Sequence, residues 1–314
     1  MRAIMMREAG GPDVLLMEEV ADPQPRGGHH LIAVSRAGVN YADVHLRENS
    51  YLAPIEYPII PGNEVVGTLP DGRRVVALSR GGGYAETALT HRRVTWEVPD
   101  GVSDDQALAL TLQGNSAWHL LHSVLGVRAG ESVLIPAAAG GVGSLAVQLA
   151  KRLGAKVIAM AGADKHGLVR DLGADVVLDS SNVEGLAERV VEANGGPVQA
   201  ALEMTGGDVF DATLDALSVR GRMAVYGCVS GDQRSASVTA LTQGSKTVSG
   251  FWLPNLYGDR TALKDSMADL FAATAAGELR PVVGPCYPLA DARRAHLDLV
   301  GRATIGKVSL DTTR

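Results

Sequence analysis

A glycine-rich turn at residues 137–143 is the part of the sequence with the clearest chemistry. It follows the short apolar run 132–136 and leads into a run with helical periodicity at 144–153. Glycines between a buried strand and a helix let the backbone approach a diphosphate, which then faces the N–H groups of the helix start. Because Ala138 stands at the first glycine of the G-x-G-x-x-G pattern, an ordinary strand–helix turn is the alternative.

The end of the next predicted strand bears on the choice of cofactor. In dinucleotide-binding folds, an acidic residue at this place accepts hydrogen bonds from the ribose 2′-hydroxyl of NAD. Here the strand at 156–160 ends without a carboxylate; Asp164 comes after it, at the predicted start of a helix, and Lys165 follows. A cation without a blocking carboxylate suits a 2′-phosphate, so the sequence favours NADPH. An exposed lysine in a first helical turn is the alternative for Lys165.

These residues lie in a part of the chain that alternates strands and helices from about residue 114 onward. The predicted strands are 132–136, 156–160, 175–179, 199–203, 222–226 and 247–251. Helical patterns occupy the connections at 144–153, 165–172, 183–193 and 209–218. Six strands with intervening helices predict a doubly wound parallel sheet of the α/β class, and a five-stranded flavodoxin-like sheet is the alternative.

Residues 1 to about 110 have a different pattern, with short β-strands at close spacing, which predicts a small β-barrel. The runs that predict these strands are 2–6, 14–20, 31–37, 63–68, 74–78 and 84–89. Near the carboxyl end, a helix is predicted at 259–277. A last strand at 306–310 is expected to return to the barrel.

Composition argues against several classes of function. The chain has 314 residues, 46% of them hydrophobic, and a net charge of −6, so no general attraction to nucleic acid is expected. Cys228 and Cys286 are too few for a Cys-rich zinc site or a disulfide framework, and they fit a reducing cytoplasm.

Residues 1–11 carry charges and no apolar run, so no secretion signal is expected. The apolar stretch 133–150 contains a proline and glycines, which fits a buried strand and helix better than a membrane span.

Four sequence blocks, taken in order, resemble one enzyme family. They are 37–43 (AGVNYAD), 61–67 (PGNEVVG), 137–143 (AAAGGVG) and 302–308 (RATIGKV). Over nearly its whole length, the chain resembles the zinc-free quinone oxidoreductase (zeta-crystallin-like) branch of the medium-chain dehydrogenase/reductase superfamily. The resemblance implies a GroES-like β-barrel domain formed by residues 1–113 and 256–314. It also implies a Rossmann domain at 114–255, NADPH in the cleft between the two, and a homodimer.

The same resemblance implies which residues contact the cofactor. Zinc-containing relatives carry a cysteine at the position of Asn40 and a lobe with four cysteines, and this sequence has neither. Asn40 matches the asparagine near the nicotinamide, and Lys165 and Arg302 match cations at the 2′-phosphate. The full set implied at the cofactor is Asn40, His45, Ser116, Gly140, Gly141, Val142, Gly143, Lys165, Ser180, Gly227, Phe251 and Arg302. His45 and Ser180 depart from the family pattern, since many members have a tyrosine at each position.

The implied reaction is hydride transfer from NADPH to a quinone. An enoyl reductase that acts on α,β-unsaturated carbonyls or carrier-bound enoyl thioesters is the alternative, because 250–253 (GFWL) also resembles those enzymes. A nucleotide-binding structural protein is a third hypothesis. Both reductions place negative charge on an oxygen, so a hydrogen-bond donor would help. We predict that Asn40 orients the nicotinamide or the acceptor and that the Tyr51 phenol donates to this oxygen; for Tyr51, a rim aromatic without a chemical role is the alternative.

Two other groups of polar residues have a structural alternative. Asp43 and Glu64 could form an acid/base pair, but structural hydrogen bonds beside turns explain them equally well. His119 and His122 have an i, i+3 spacing that suits metal ligands on a helix. Since the sequence offers no third ligand, a partly exposed helix face is favoured for this pair.

Overall fold

The structure is a computed structural model that describes residues 1–259 and 261–314. It divides into two compact units, one formed by residues 1–113 with 257–314 and the other by residues 114–256. Arg260, which belongs to the helix predicted at 259–277, lies outside the described residues. No helix in the described ranges is both long and apolar enough to cross a bilayer.

The first unit begins with seven strands and two short helices. The strands are β1 (Arg2–Met5), β2 (Leu16–Glu19), β3 (His29–Val39), β4 (Glu64–Thr68), β5 (Arg74–Leu78), β6 (Thr87–His91) and β7 (Thr95–Glu97). The helices are α1 (Tyr41–Arg47) and α2 (Asp104–Ala109). Six of the strands overlap the sequence predictions. The sequence patterns missed β7 and both helices, since elements of three to seven residues are too short to show a period.

The second unit contains a six-stranded sheet with helices between its strands. The strands are β8 (Ser132–Ile135), β9 (Lys156–Ala161), β10 (Val176–Asp179), β11 (Val198–Glu203), β12 (Leu217–Val225) and β13 (Thr247–Gly250). The helices are α3 (Asn115–His119), α4 (Gly141–Arg152), α5 (His166–Asp171), α6 (Leu186–Asn194), α7 (Gly207–Ala216) and α8 (Val238–Gly244). Every strand pair is parallel, in the order β10-β9-β8-β11-β12-β13. The predicted doubly wound sheet is confirmed, and the five-stranded alternative is wrong.

The central strands of this sheet are apolar because helices cover both faces. All four residues of β8 are buried, and Leu134 packs in one core with Ile158, Ala201 and Met223. The strand order reverses between β8 and β11. Ligands of doubly wound sheets bind outside the carboxyl ends of the strands at such a reversal.

The chain then returns to the first unit through α9 (Ala262–Ala275), β14 (Val283–Pro288), α10 (Ala292–Val300) and β15 (Lys307–Asp311). β15 pairs antiparallel with β3, with Val308 opposite Val39, as the predicted return strand requires. The resulting sheet has the order β14-β15-β3-β4-β5-β7, and β6 also pairs with β3. This pairing brings Lys307 to the end of β3, next to Asn40.

Candidate cofactor and substrate site

Asn40 stands between a strand and a helix of the first unit. It is the N-cap of α1 and has extended backbone angles (φ −131°, ψ 157°). Its backbone N–H donates to Asp43 Oδ2 at 2.8 Å. The Asp43 carboxylate therefore satisfies a backbone donor at the start of α1, as in a capping box.

The side-chain amide of Asn40 is held by three buried residues. Its Nδ2 donates to Glu64 Oε1 at 2.7 Å. Its Oδ1 accepts from Lys307 Nζ at 3.0 Å and from Gln113 Nε2 at 3.0 Å. Because an ammonium group only donates and a carboxylate only accepts, these partners fix which way the amide points. With Oδ1 and one N–H occupied, a second N–H is what the amide can still offer to a ligand.

Glu64 and Lys307 form an ion pair that is almost completely removed from solvent, with side chains 0% and 2% exposed. Glu64 Oε2 also accepts the backbone N–H of Leu112 at 2.8 Å. A buried pair adds little net stability, but removal of one partner leaves a buried charge and costs about 3–5 kcal/mol. The pair therefore holds the Asn40 amide in a fixed position and orientation.

Asp43 is fully buried beside this network. Its carboxylate also accepts from Asn63 Nδ2 at 2.7 Å and from Tyr84 Oη at 3.1 Å. Burial raises the pKa of Asp43 to about 6, although the hydrogen bonds oppose this rise. Tyr84 Oη lies 3.1 Å from His296 Nε2, and burial lowers the pKa of His296 to about 3. Since Tyr84 donates to Asp43, neutral His296 must donate to Tyr84 through an Nε2–H group.

Asp43 and Glu64 were a candidate acid/base pair. Each carboxylate accepts at least three hydrogen bonds, counting the donors named above. Both are completely buried. This geometry favours the structural alternative for both residues.

His45 and Tyr51 lie on α1 and in the loop after it. His45 Nδ1 is 3.1 Å from Ser50 Oγ, and its ring centroid is 5.2 Å from that of Tyr41. Burial lowers the pKa of His45, which favours the neutral form of the ring. Tyr51 is partly buried and interacts electrostatically with Tyr257, a residue just before α9.

Arg302 also belongs to the first unit, directly after α10, and has a left-handed backbone (φ +58°). Burial raises the pKa of Tyr41, and the positive charge of Arg302 opposes this rise. The charge of Arg302 therefore acts on Tyr41, which is the first residue of α1 and directly follows Asn40.

In the second unit, the glycine-rich turn joins β8 to α4. Gly140 is the N-cap of α4 and supplies no side chain. The first N–H groups of a helix have no partner inside it, so those of Gly141, Val142 and Gly143 are available to an anion. A Cβ at Gly143 would lie 2.3 Å from Ala137 O, so only glycine permits this close approach of helix and turn.

The two residues predicted near the adenosine phosphate follow β9 and β10. Lys165 ends the short 3₁₀ turn Ala163–Lys165, and Ser180 donates its backbone N–H to Ala161 O at 3.0 Å. Asp164, in that turn, is exposed. Asp179 ends β10, but its carboxylate accepts from the backbone and hydroxyl of Ser181. The end of β9 itself carries no carboxylate.

Ser116 and Phe251 lie on two segments that meet at His119. Ser116 is one turn before His119 on α3, and the His119 ring stacks on Phe251 with centroids 6.2 Å apart at 23°. His119 is 2% exposed, so the partly exposed face expected for it is wrong. The His119 ring is buried because Phe251 packs against α3. The apolar period of the sequence does not indicate this contact. The His122 ring stacks on Trp118, with the two ring centroids 4.2 Å apart.

Gly227 follows β12 and lies beside Met204 of the β11–α7 turn, where a Cβ would be 3.3 Å from Met204 Cβ. Gly206 of the same turn has φ +81°, and a Cβ there would meet Cys228 Sγ at 2.7 Å. The predicted residues that follow strands of this unit therefore all lie at the carboxyl edge of its sheet.

The geometry can be compared with that of known proteins. Residues 26–100 match the family model of the alcohol dehydrogenase GroES-like domain, and residues 141–273 match that of the zinc-binding dehydrogenases. The quinone oxidoreductase of Salmonella typhimurium is 34% identical over 96% of this chain and 97% of that protein. The quinone oxidoreductase of Rattus norvegicus is 31% identical over 99% of this chain and 97% of that protein.

The chain belongs to the medium-chain dehydrogenase/reductase superfamily, in its quinone oxidoreductase branch. The structure of Escherichia coli quinone oxidoreductase complexed with NADPH is similar, with a TM-score of 0.93 and 31% identity over 99% of this chain and 100% of that one. A mycobacterial protein complexed with NADPH has a TM-score of 0.93 and 38% identity over 99% of both chains. The predicted GroES-like and Rossmann folds are confirmed, and the protein is an oxidoreductase.

One matching model of this superfamily is named for zinc, so the ligand chemistry matters. Among residues 1–259 and 261–314, no three or more His, Cys, Asp or Glu side chains are arranged to hold a metal ion. The His119 and His122 pair therefore gains no third ligand from the described part of the fold.

Several residues that surround Asn40 and Tyr51 of this oxidoreductase were not predicted from the sequence. Lys307 lies in one of the four matching blocks, and that position was the only signal available. Gln113 directly precedes the second unit and gave none. Tyr257, which interacts electrostatically with Tyr51, has no local pattern, because its position depends on the return of the chain to the first unit.

Proposed function

We propose that this protein transfers a hydride from NADPH to a quinone without zinc. The observation that carries the proposal is the locked amide of Asn40, at the position where zinc-containing relatives have a cysteine. The ammonium group of Lys307 lies 3.0 Å from Asn40 Oδ1. Because Oδ1 already accepts from this ammonium group and from Gln113, the amide is a poor zinc ligand and offers a neutral N–H donor instead.

The cofactor is NADPH, which supplies a hydride from C4 of its nicotinamide ring when bound. The N–H groups at the start of α4 fit its diphosphate. Lys165 fits its 2′-phosphate, and the end of β9 lacks the carboxylate that would select NAD. We propose further contacts by Asn40, His45, Ser116, Ser180, Gly227, Phe251 and Arg302.

Positioning supplies most of the rate enhancement in this proposal. Holding the hydride donor and the acceptor in contact contributes up to roughly 7–11 kcal/mol of the barrier in well-oriented cases. The second N–H of Asn40 holds one of the two rings in place. A site with few ionisable groups can therefore still be an efficient catalyst.

An enoyl reductase is the second candidate. An erythronolide synthase of Saccharopolyspora erythraea is 39% identical over 222 residues, which cover 68% of this chain and 6% of that protein. The block 250–253 (GFWL) supports the same alternative. Its acceptor would be a C=C bond conjugated to a carbonyl.

Consumption of NADPH by a panel of acceptors tests the proposal. Quinones, simple enones and enoyl thioesters are compared with NADPH and with NADH, before and after treatment with EDTA. We expect quinone turnover, a preference for NADPH and no loss after chelation. Turnover of thioesters alone would select the enoyl reductase, and loss of activity with EDTA would overturn zinc independence.

We also propose that the protein is a homodimer in the cytoplasm. β13 forms one edge of the six-stranded sheet, and within the described residues no strand pairs with its outer side. Val219 of β12 and Val238 of α8 are 74% and 81% exposed in the same unit. The free thiols of Cys228 and Cys286 fit a reducing compartment.

A further inference from the structure

We propose that the Tyr257 phenol donates the hydrogen bond that stabilises negative charge on the oxygen of the acceptor, with Arg80 as its positioning residue. The proposal rests on the function proposed above and identifies the donor that the reaction requires. From the sequence, Tyr51 is the candidate for this role, with a rim aromatic as its alternative.

The surroundings of Tyr257 indicate a ligand. The Cζ atom of Arg80 lies 5.5 Å from the centroid of the Tyr257 ring, within the range of a cation–π interaction. Within the described residues, Arg80 has no carboxylate partner and Tyr257 Oη has no hydrogen-bond partner. A partly buried phenol normally has one. The hydroxyl group is therefore available to an oxygen supplied from outside the protein.

Tyr257 lies in the part of the first unit that contains Asn40. Tyr51 and Glu64 are both close enough to act electrostatically on the Tyr257 phenol. Glu64 accepts a hydrogen bond from the Asn40 amide at 2.7 Å. Tyr257, Tyr51 and Asn40 thus belong to the same unit, and Glu64 acts both on the Tyr257 phenol and on the Asn40 amide, where the proposed function requires donors.

The electrostatics favour a hydrogen-bond donor over a proton donor. Burial raises the pKa of Tyr257 far above its usual value, and the neighbouring Tyr51 and Glu64 raise it further, against the effect of Arg80. Such a phenol keeps its proton when it faces an ordinary phenolate oxygen. The hydride forms a bond to the acceptor, the acceptor π bond breaks, and its electron pair comes to the oxygen. That oxygen then takes its proton from water, while Tyr257 stays neutral.

Binding of p-nitrophenolate tests the donor without turnover. The ion presents one charged oxygen on an aromatic ring, and its absorption shifts when that oxygen accepts a hydrogen bond. It is titrated into the NADP⁺-loaded wild type and into Tyr257→Phe, which keeps the ring under Arg80. We expect affinity to fall roughly 10- to 100-fold and the spectral shift to disappear, as for a hydrogen bond to a charged group.

Matched variants separate the donor from general effects. Tyr287→Phe removes a phenol of the same unit whose Oη donates to Asp298 at 2.8 Å, and it should leave binding unchanged. Arg80→Gln should weaken binding about 3-fold, and Arg80→Lys should restore part of this loss. Equal affinity of wild type and Tyr257→Phe, or no binding by the wild type, would overturn the proposal.

Measurements of turnover provide a second, independent test. We expect kcat of Tyr257→Phe with the preferred acceptor to fall about 100-fold, as on loss of an oxyanion donor, with the Kd for NADPH unchanged. Tyr51→Phe, measured beside it, shows which phenol contributes more; a loss only in Tyr51→Phe would return the role to Tyr51. If no acceptor of the panel is reduced, the proposed function fails, while the phenolate titration still decides whether Tyr257 donates to a bound oxygen.

Discussion

At the scale of single residues, one neutral amide in the first unit is oriented by two buried charges. Lys307 donates to the oxygen of Asn40, and Glu64 accepts from its nitrogen. Neither charge needs to change during the reaction, so the network acts by preorganisation. The network can hold a donor rigidly in this way because the cost of burying the charges was met on folding.

The ion pair can be tested by a double-mutant cycle. Lys307→Met leaves the buried Glu64 carboxylate without its partner and should lower the free energy of unfolding by about 3–5 kcal/mol. The double variant Lys307→Met/Glu64→Gln removes that charge and should recover at least half of the loss. Urea unfolding of the wild type, both single variants and the double variant measures the coupling. Strict additivity of the two single effects would show that the pair is not coupled.

The Asp43–Tyr84–His296 group should make stability depend on pH in two opposing ways. The pKa of Asp43 is raised to about 6 in the folded protein, so its contribution to stability is present below its usual pKa and is lost as pH rises through 6. The pKa of His296 is lowered to about 3, so its contribution is present above its usual pKa and is lost as pH falls toward 3.

Asp43→Asn separates the two effects. The difference in unfolding free energy, wild type minus variant, should fall as pH rises from 4 to 6, by up to about 1.4 kcal/mol per pH unit. Denaturant unfolding at a series of pH values measures this difference. A difference that stays flat over this range would mean that Asp43 titrates in its ordinary range.

At the scale of elements, the sequence predicted what has a clear local period. All six strands of the parallel sheet were located, because buried strands are continuous apolar runs between turns. α10 and β14 were not predicted, and neither were the π-helical turns Leu110–Gly114 and Leu120–Val124 that follow α2 and α3. A π turn differs from an α-helix by one residue in its hydrogen bonds, which leaves no mark on the apolar pattern.

The turn before α4 should tolerate no side chain at its third glycine. In Gly143→Ala, the new Cβ would lie 2.3 Å from Ala137 O, so helix and turn must separate. We expect a less stable protein whose Kd for NADPH rises at least 10-fold, measured by fluorescence titration.

Gly167→Ala is the matched control, since its Cβ would meet nothing within 4 Å on α5. It should bind NADPH normally and gain up to about 1 kcal/mol of stability. Normal NADPH affinity in Gly143→Ala would exclude the turn as the diphosphate site.

At the scale of the whole molecule, the candidate site depends on contacts between distant parts of the chain. Lys307 reaches Asn40 across 267 residues of sequence. Tyr257 joins Tyr51 and Glu64 only because the chain re-enters the first unit after the second is complete. Local patterns therefore indicated the glycine turn and Lys165, and the resemblance added Asn40 and the rest of the set. The supporting charges, and the phenol that we propose as donor, required the tertiary structure.

The proposed homodimer gives a prediction at the same scale. Phe251 donates its N–H to Val225 O at 2.8 Å, toward β12. Successive residues of a strand alternate in direction, so the N–H of Gly250 points to the outer edge of β13. Gly250→Pro removes this donor without disturbing the pairing with β12, and proline is tolerated on an edge strand. A Cβ at this position would meet nothing within 4 Å.

If two copies pair through β13, light scattering should show wild type at twice the chain mass of 32.7 kDa and the variant at that mass. Retained NADPH binding would show that the variant is folded, and a variant that stays dimeric would place the interface elsewhere.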